Sequence, residues 1–131
     1  MFAQVTPKFQ LPEIGIFTWN VPENRLVADE IYASIYGLSA DRLAKGVEIE
    51  EVIGLIFEDD RERAARSTHA AILAGKIATI DYRIHVGGLI RSASAYGRCL
   101  RDEDGIPSFF SGGIALDLSF SFAESRRKQD H

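Results

Sequence analysis

Residues 77–118 constrain this chain most, because they read as three consecutive antiparallel strands joined by short turns. In the segment IATIDYRIHV, Ala78, Ile80, Tyr82, Ile84 and Val86 fall on one face, and Thr79, Asp81, Arg83 and His85 on the other. Alternation with period two marks a strand with one buried face. Gly87-Gly88 follows and supplies the positive φ angles of a tight hairpin. A second strand over residues 90–101 ends at Asp102-Glu103-Asp104-Gly105, where Asp-Gly is a turn signal. A third strand over residues 107–118 puts Phe110, Gly112, Ile114, Leu116 and Leu118 on one face. Such a meander is not stable alone, so its apolar face must be covered by earlier parts of the chain.

Those earlier parts begin with a strand over residues 14–21, with Phe17 and Trp19 on one face and Ile16 and Thr18 on the other. Pro22-Glu23-Asn24 is a turn, and residues 25–28 are a short second strand. Asp29 is an N-cap for a helix over residues 30–36, and Gly37 its stop. Ser39 caps a further short helix ending near Gly46. Ile49, Val52, Ile53 and Ile56 lie at i, i+3, i+4 and i+7, which predicts an amphipathic helix over residues 48–57. The longest helix is expected from Asp59 to about Ala74, stopped by Gly75. Its opening Asp59-Asp60-Arg61-Glu62 has the form of a capping box, and Glu62 with Arg66 is an i, i+4 pair. Its small residues Ala64, Ala65, Ala70 and Ala71 let it lie close to a sheet.

At 131 residues the chain is one domain, large enough for a core without disulfides or metal. The folded unit is placed at residues 14–119. Residues 1–13 are read as an arm or short helix, and residues 120–131 as a tail or the start of a connecting helix. The net charge of −4 argues against nucleic-acid binding, which needs a positive surface. A single cysteine, Cys99, excludes an internal disulfide and suits a reducing cytoplasm. The N-terminus lacks the basic start and apolar run of a signal peptide, and no window approaches the roughly 18 apolar residues of a membrane span.

The order strand, strand, helices, strand, strand, strand, with its landmarks, resembles the PAS sensory domain family over about residues 14–119. Gly15-Ile16-Phe17-Thr18-Trp19-Asn20 is similar to the family's opening strand, and Ile35-Tyr36-Gly37 to the end of its first helix. Phe57-Glu58-Asp59-Asp60-Arg61 resembles the entry to its long helix, with Glu58 where proline is common. Asp81-Tyr82-Arg83-Ile84 is similar to the strand that follows. Asp104-Gly105-Ile106-Pro107 and Gly112-Gly113-Ile114-Ala115-Leu116-Asp117-Leu118-Ser119 resemble the last hairpin and terminal motif. Gly87-Gly88 and Ser92 depart from it, standing where Asp-Gly and tryptophan are usual.

The resemblance implies an α+β fold with a five-stranded antiparallel sheet and helices covering one face. It implies a sensory or protein-interaction role without catalysis, coupled to a kinase, a cyclase or a transcription regulator, with room for a small ligand. His69, Tyr82 and Tyr96 are the candidate ligand contacts. Haem is not expected, because His69 lies later on the long helix than the family's axial histidine, near Ala64 or Ala65. A flavin adduct is not expected either, because Cys99 lies on a strand and the long helix lacks the cysteine motif of flavin photosensors. His69, His85 and His131 do not have metal-ligand spacing. The alternative is a cone-shaped fold of the ketosteroid-isomerase kind, an enzyme or small-molecule binder, and Asp81 buried beside Tyr82 or Tyr96 in an apolar cavity would favour the enzyme. Only fourteen residues follow Asp117, too few for an effector domain, so a partner is expected. Met1, Phe2, Val5, Phe9 and Leu11 make the first twelve residues unusually apolar for a solvated arm. A homodimer built from that arm and the outer face of the sheet is the expected assembly.

Overall fold

A computed structural model of the chain describes residues 13–117. Two short strands come first, β1 (Gly15–Asn20) and β2 (Arg25–Ala28). Four helices follow: α1 (Glu30–Tyr36), α2 (Ala40–Lys45), α3 (Ile49–Ile53) and α4 (Glu58–Ala74). The chain then returns through β3 (Ala78–Val86), β4 (Leu89–Arg101) and β5 (Pro107–Leu116). The strands form one antiparallel sheet in the order β2-β1-β5-β4-β3. The readings of the N-terminal arm before Glu13 and of the C-terminal tail lie outside the described residues.

The period-two reading of the meander holds. Ala78, Ile80, Tyr82 and Ile84 are buried while Thr79, Asp81 and His85 are exposed. Val86 pairs with Leu89, so Gly87 and Gly88 alone make the hairpin, with φ of 56° and 83°. Those angles cost a side chain steric strain and cost glycine none. The core lies between the inner sheet face and the helices, with Tyr36, Leu26, Leu43, Ile84 and Ile114 its most enclosed large side chains.

The expected helix caps form in the first half. Asp29 Oδ1 accepts from the Tyr32 backbone N–H at 2.9 Å, and Ser39 Oγ from that of Arg42 at 3.3 Å. Gly37 and Gly75 end their helices in the left-handed conformation. Two expectations fail. The helix expected over residues 48–57 stops at Ile53, because β3 captures the rest. Phe57 N–H donates to the Arg83 carbonyl, His85 N–H donates to the Leu55 carbonyl, and Ile56 bridges to Ile84. The expected capping box also does not form. Helix α4 begins at Glu58 with no side-chain cap, and Asp60 turns to Arg83 on β3 instead.

Trp19 is half-buried rather than enclosed. Its indole N–H donates to Asn24 Oδ1 at 3.0 Å, and the same oxygen accepts from the Ile49 backbone N–H at 3.1 Å. Asn24, at φ 51°, thus joins the β1–β2 turn to the start of α3. Trp19→Ala is expected to cost about 2 kcal/mol, below the range for a fully buried aromatic. A denaturant melt measures it, and Trp19→Phe should cost less because its ring keeps most of the packing.

Candidate functional site

Between the inner sheet face and the helices lies a cavity of about 350 Å³. Sequence makes it in a simple way. Helix α4 presents Ala64, Ala65, Thr68 and Ile72, β3 presents Ala78 and Ile80, and β4 presents Ala95 and Gly97. Small side chains on both layers leave part of the space between them unfilled. Of the alanines expected to bring α4 close to the sheet, Ala64 and Ala65 line this space. Phe17, Trp19 and Phe110 form the wall on the β1–β5 side, and α3 adds Ile49, Val52 and Ile53. The row Phe17–Gly112–Gly97–Ala78 crosses four strands, and Gly97 leaves room for the Phe110 ring. A Cβ on Gly97 would strike that ring.

The buried polar feature of the wall is a group of tyrosines. The Tyr36 and Tyr82 hydroxyls are hydrogen-bonded at 2.5 Å, joining α1 to β3. The Tyr32 ring lies tilted beside that of Tyr36, with centroids 4.7 Å apart, and the two side chains are in hydrogen-bond contact. Burial pushes the Tyr82 phenol up to about 12, against a smaller opposing effect of its bond to Tyr36. Burial likewise raises Tyr32 and Tyr36 well above the usual phenol range. All three are neutral hydrogen-bonding groups at physiological pH. Among the described residues no Asp, Glu, Lys or Arg lines the cavity.

The three residues singled out from sequence take different places. Tyr82 is in the cavity wall and 9% exposed. His69 lines the cavity from α4 but is solvent-exposed, and no hydrogen bond or ion pair to it is found among the described residues. Tyr96 borders the cavity between Ala95 and Gly97, while its side chain lies beside Gly113 and Ile14 and is 47% exposed. Tyr36 enters the sequence reading only at the end of the first helix, and nothing in local sequence pairs it with Tyr82, 46 residues away. Cys99 is buried on β4 but outside the cavity wall, its thiol donating to the Leu100 carbonyl at 3.5 Å. Asp81 is exposed on the opposite sheet face, where Ser94 Oγ donates to its Oδ1 at 2.7 Å. Asp81 is therefore not buried beside either tyrosine, the arrangement that would have favoured a cone-fold enzyme, and that alternative fails with the fold.

The outer face of the sheet is apolar in places. Across β1, β5 and β4 the register aligns Ile16, Gly113 and Tyr96. Ile16 is 51% exposed, and Gly113 beside it is buried under the Ile14 and Tyr96 side chains. Among the described residues no helix is long and apolar enough to cross a membrane.

Comparison with known proteins agrees with this architecture. The family model described as PAS fold matches residues 25–114, more than half of the chain. A sensory box histidine kinase/response regulator from Burkholderia thailandensis superposes with a TM-score of 0.72 at 19% identity, covering 89% of this chain and 86% of that one. The N-terminal domain of a diguanylate cyclase with a PAS/PAC sensor from Marinobacter aquaeolei gives 0.72 at 15% identity, covering 84% and 99%. A light-oxygen-voltage domain studied with a flavin analogue gives 0.56 at 13% identity, covering 88% and 87%. At these identities the likeness is one of fold. No curated protein matches the chain. The five-stranded sheet in its order, the four helices on one face and the family match together assign the chain to the PAS fold family.

Proposed function

We propose that the chain is a sensory module of a signal-transduction pathway. It reads a small molecule in the interior cavity and passes the result through the outer sheet face to a partner such as a kinase, a cyclase or a transcription regulator. The observation that carries this reading is the cavity itself, about 350 Å³ of mostly apolar space walled by α1, α3, α4 and the five strands. A pocket of this size lined by apolar side chains with a few polar groups suits a small ligand. Filling it changes how α4 packs on the sheet, which is the differential contact that a two-state switch needs. Fold relatives described as parts of a histidine kinase and a diguanylate cyclase support a signalling context. The role is non-catalytic, and the single cysteine suits a reducing cytoplasm.

The same reading leaves out haem and a flavin adduct. An axial histidine is normally oriented by a hydrogen bond on its second nitrogen, and His69 has no such partner among the described residues. A flavin adduct needs a cysteine in the cavity, and Cys99 lies outside it. The purified protein is expected to be colourless. Ala95 lies at the centre of β4 and stays partly open through the cavity, so Ala95→Leu fills the space from the sheet side. Native mass spectrometry should find a small molecule on the wild-type protein and none on Ala95→Leu, whose melting temperature should rise by roughly 2–5 °C. An unliganded wild type, or a ligand held equally by both proteins, would count against the cavity as the sensing site.

For assembly, the reading is a homodimer through the outer face around Ile16, Gly113 and Tyr96, with the first twelve residues contributing Phe2, Val5, Phe9 and Leu11. Light scattering at tens of micromolar should give a dimer that Ile16→Asp converts to a monomer. A monomeric wild type would remove the second copy and leave the face to another partner.

A further inference from the structure

From the tyrosine group and the absence of charge around it, we infer that the ligand of this cavity is an uncharged, compact ring compound bearing one hydroxyl or carbonyl oxygen. This rests on the reading of the cavity as a ligand site and narrows what it accepts. The first argument is electrostatic. Among the described residues the cavity wall holds no acidic, Lys or Arg side chain, and the one titratable wall group outside the tyrosines, His69, is solvent-exposed. An ionised ligand would lose its hydration without gaining a counter-charge, which a buried site of this kind strongly disfavours.

The second argument counts protons. Tyr32, Tyr36 and Tyr82 carry three hydroxyl protons, and the contacts of Tyr36 with Tyr82 and with Tyr32 use two. The phenol at the end of that chain still has its own proton to give, and all three tyrosines are nine-tenths or more buried. A ligand oxygen satisfies it, and a pure hydrocarbon leaves it without a partner. The third argument is size and shape. A cavity of about 150 Å³ lined by aliphatic and aromatic side chains takes up benzene. This one is about 350 Å³, with Phe17, Trp19 and Phe110 in its wall, which fits a two-ring compound stacked against aromatic faces.

Three probes of one shape test the inference: naphthalene, 2-naphthol and 2-naphthoate, titrated by calorimetry and thermal shift at neutral pH. The expected order is 2-naphthol tightest, naphthalene roughly three- to tenfold weaker for want of the hydrogen bond, and 2-naphthoate at least about tenfold weaker than 2-naphthol. In the combined variant Tyr32→Phe, Tyr36→Phe, Tyr82→Phe, checked for folding by circular dichroism, 2-naphthol should lose its advantage while naphthalene binds as before. Binding of 2-naphthoate as tight as 2-naphthol overturns the neutral class. Equal binding of naphthalene and 2-naphthol to the wild type overturns the role of the tyrosine group, without needing the variant to fold. Failure of all three probes to bind overturns the underlying cavity reading instead, so the two failures are distinct.

Discussion

Replacing Gly112 with alanine is expected to destabilise the chain by about 4 kcal/mol, at the upper end of what overpacking costs. Gly112 lies opposite Gly97, where β5 runs beside β4 and β1 in the middle of the sheet. A Cβ there would land on the Tyr96 carbonyl oxygen and 2.6 Å from Gly97 Cα. Both obstacles are backbone, so no side-chain rotation relieves the clash and the β4–β5 ladder must open. Loss of that ladder also removes the floor of the cavity, so probe binding should fall with stability. The control is Gly54→Ala. Gly54 has φ −63°, and its added Cβ meets nothing nearer than the Glu50 carbonyl at 3.4 Å. That change should stay within about 0.5 kcal/mol of wild type, or stabilise slightly by restricting the unfolded chain. Thermal and urea melts of the two variants side by side decide it. A Gly112→Ala protein that melts with the wild type would mean that the strands do not meet as described.

Asp60→Asn is expected to cost roughly 2–3 kcal/mol at neutral pH, because it dismantles the clamp between α4 and β3. Asp60 is buried and takes three hydrogen bonds from one residue. The Arg83 backbone N–H and Nε donate to Oδ2, each at 2.9 Å, and an Arg83 terminal guanidinium nitrogen donates to Oδ1 at 2.8 Å. The guanidinium also lies over the Phe57 ring, 4.6 Å from its centroid. Hydrogen bonding from Arg83 holds the Asp60 carboxyl at about 2, below its ordinary 3.8. A carboxyl with a folded-state pKa below its unfolded value stabilises fully above the unfolded value, and that contribution is lost as pH falls through the folded one. Wild-type stability should therefore drop between about pH 4 and pH 2. The amide of the variant cannot titrate, so the gap between the two proteins should narrow across that window. Urea melts at pH 7, 4 and 2 measure both effects. A constant gap would mean that Asp60 does not carry the acid dependence.

The clamp marks where local sequence stopped being informative. Asp60 sits in a capping-box pattern, and the pattern reports only what its own helix offers a carboxylate. A guanidinium and a backbone N–H arriving from a strand 23 residues later offer more, and no window of neighbouring residues contains them. The shortened α3 has the same cause. Its apolar spacing continues to Ile56, but the backbone of β3 takes residues 55–57 out of the helix. By contrast, the three-strand meander, its buried face and its hairpin were legible, because strand faces follow from alternation and a two-glycine turn fixes register. The cavity was not legible. Its small residues Ala64, Ala78, Ala95 and Gly97 are ordinary in their own elements, and only the packing of α4 over β3 and β4 sets them face to face. Tyr82 could be singled out on its strand, yet its role depends on Tyr36, which local pattern marks only as a core residue.

The central claim is that occupation of the cavity is felt on the far side of the sheet. Isoleucine methyl groups report both places at once. Ile56, Ile72 and Ile80 line the cavity, whereas Ile16 and Ile90 are exposed, Ile16 on the proposed contact face. A methyl NMR titration with 2-naphthol should shift the inner set and, at the same saturation, the Ile16 and Ile90 signals, with both responses absent in Ala95→Leu. Inner signals that move while Ile16 and Ile90 stay fixed would contradict the account, since the cavity would then bind without signalling to the face that meets a partner.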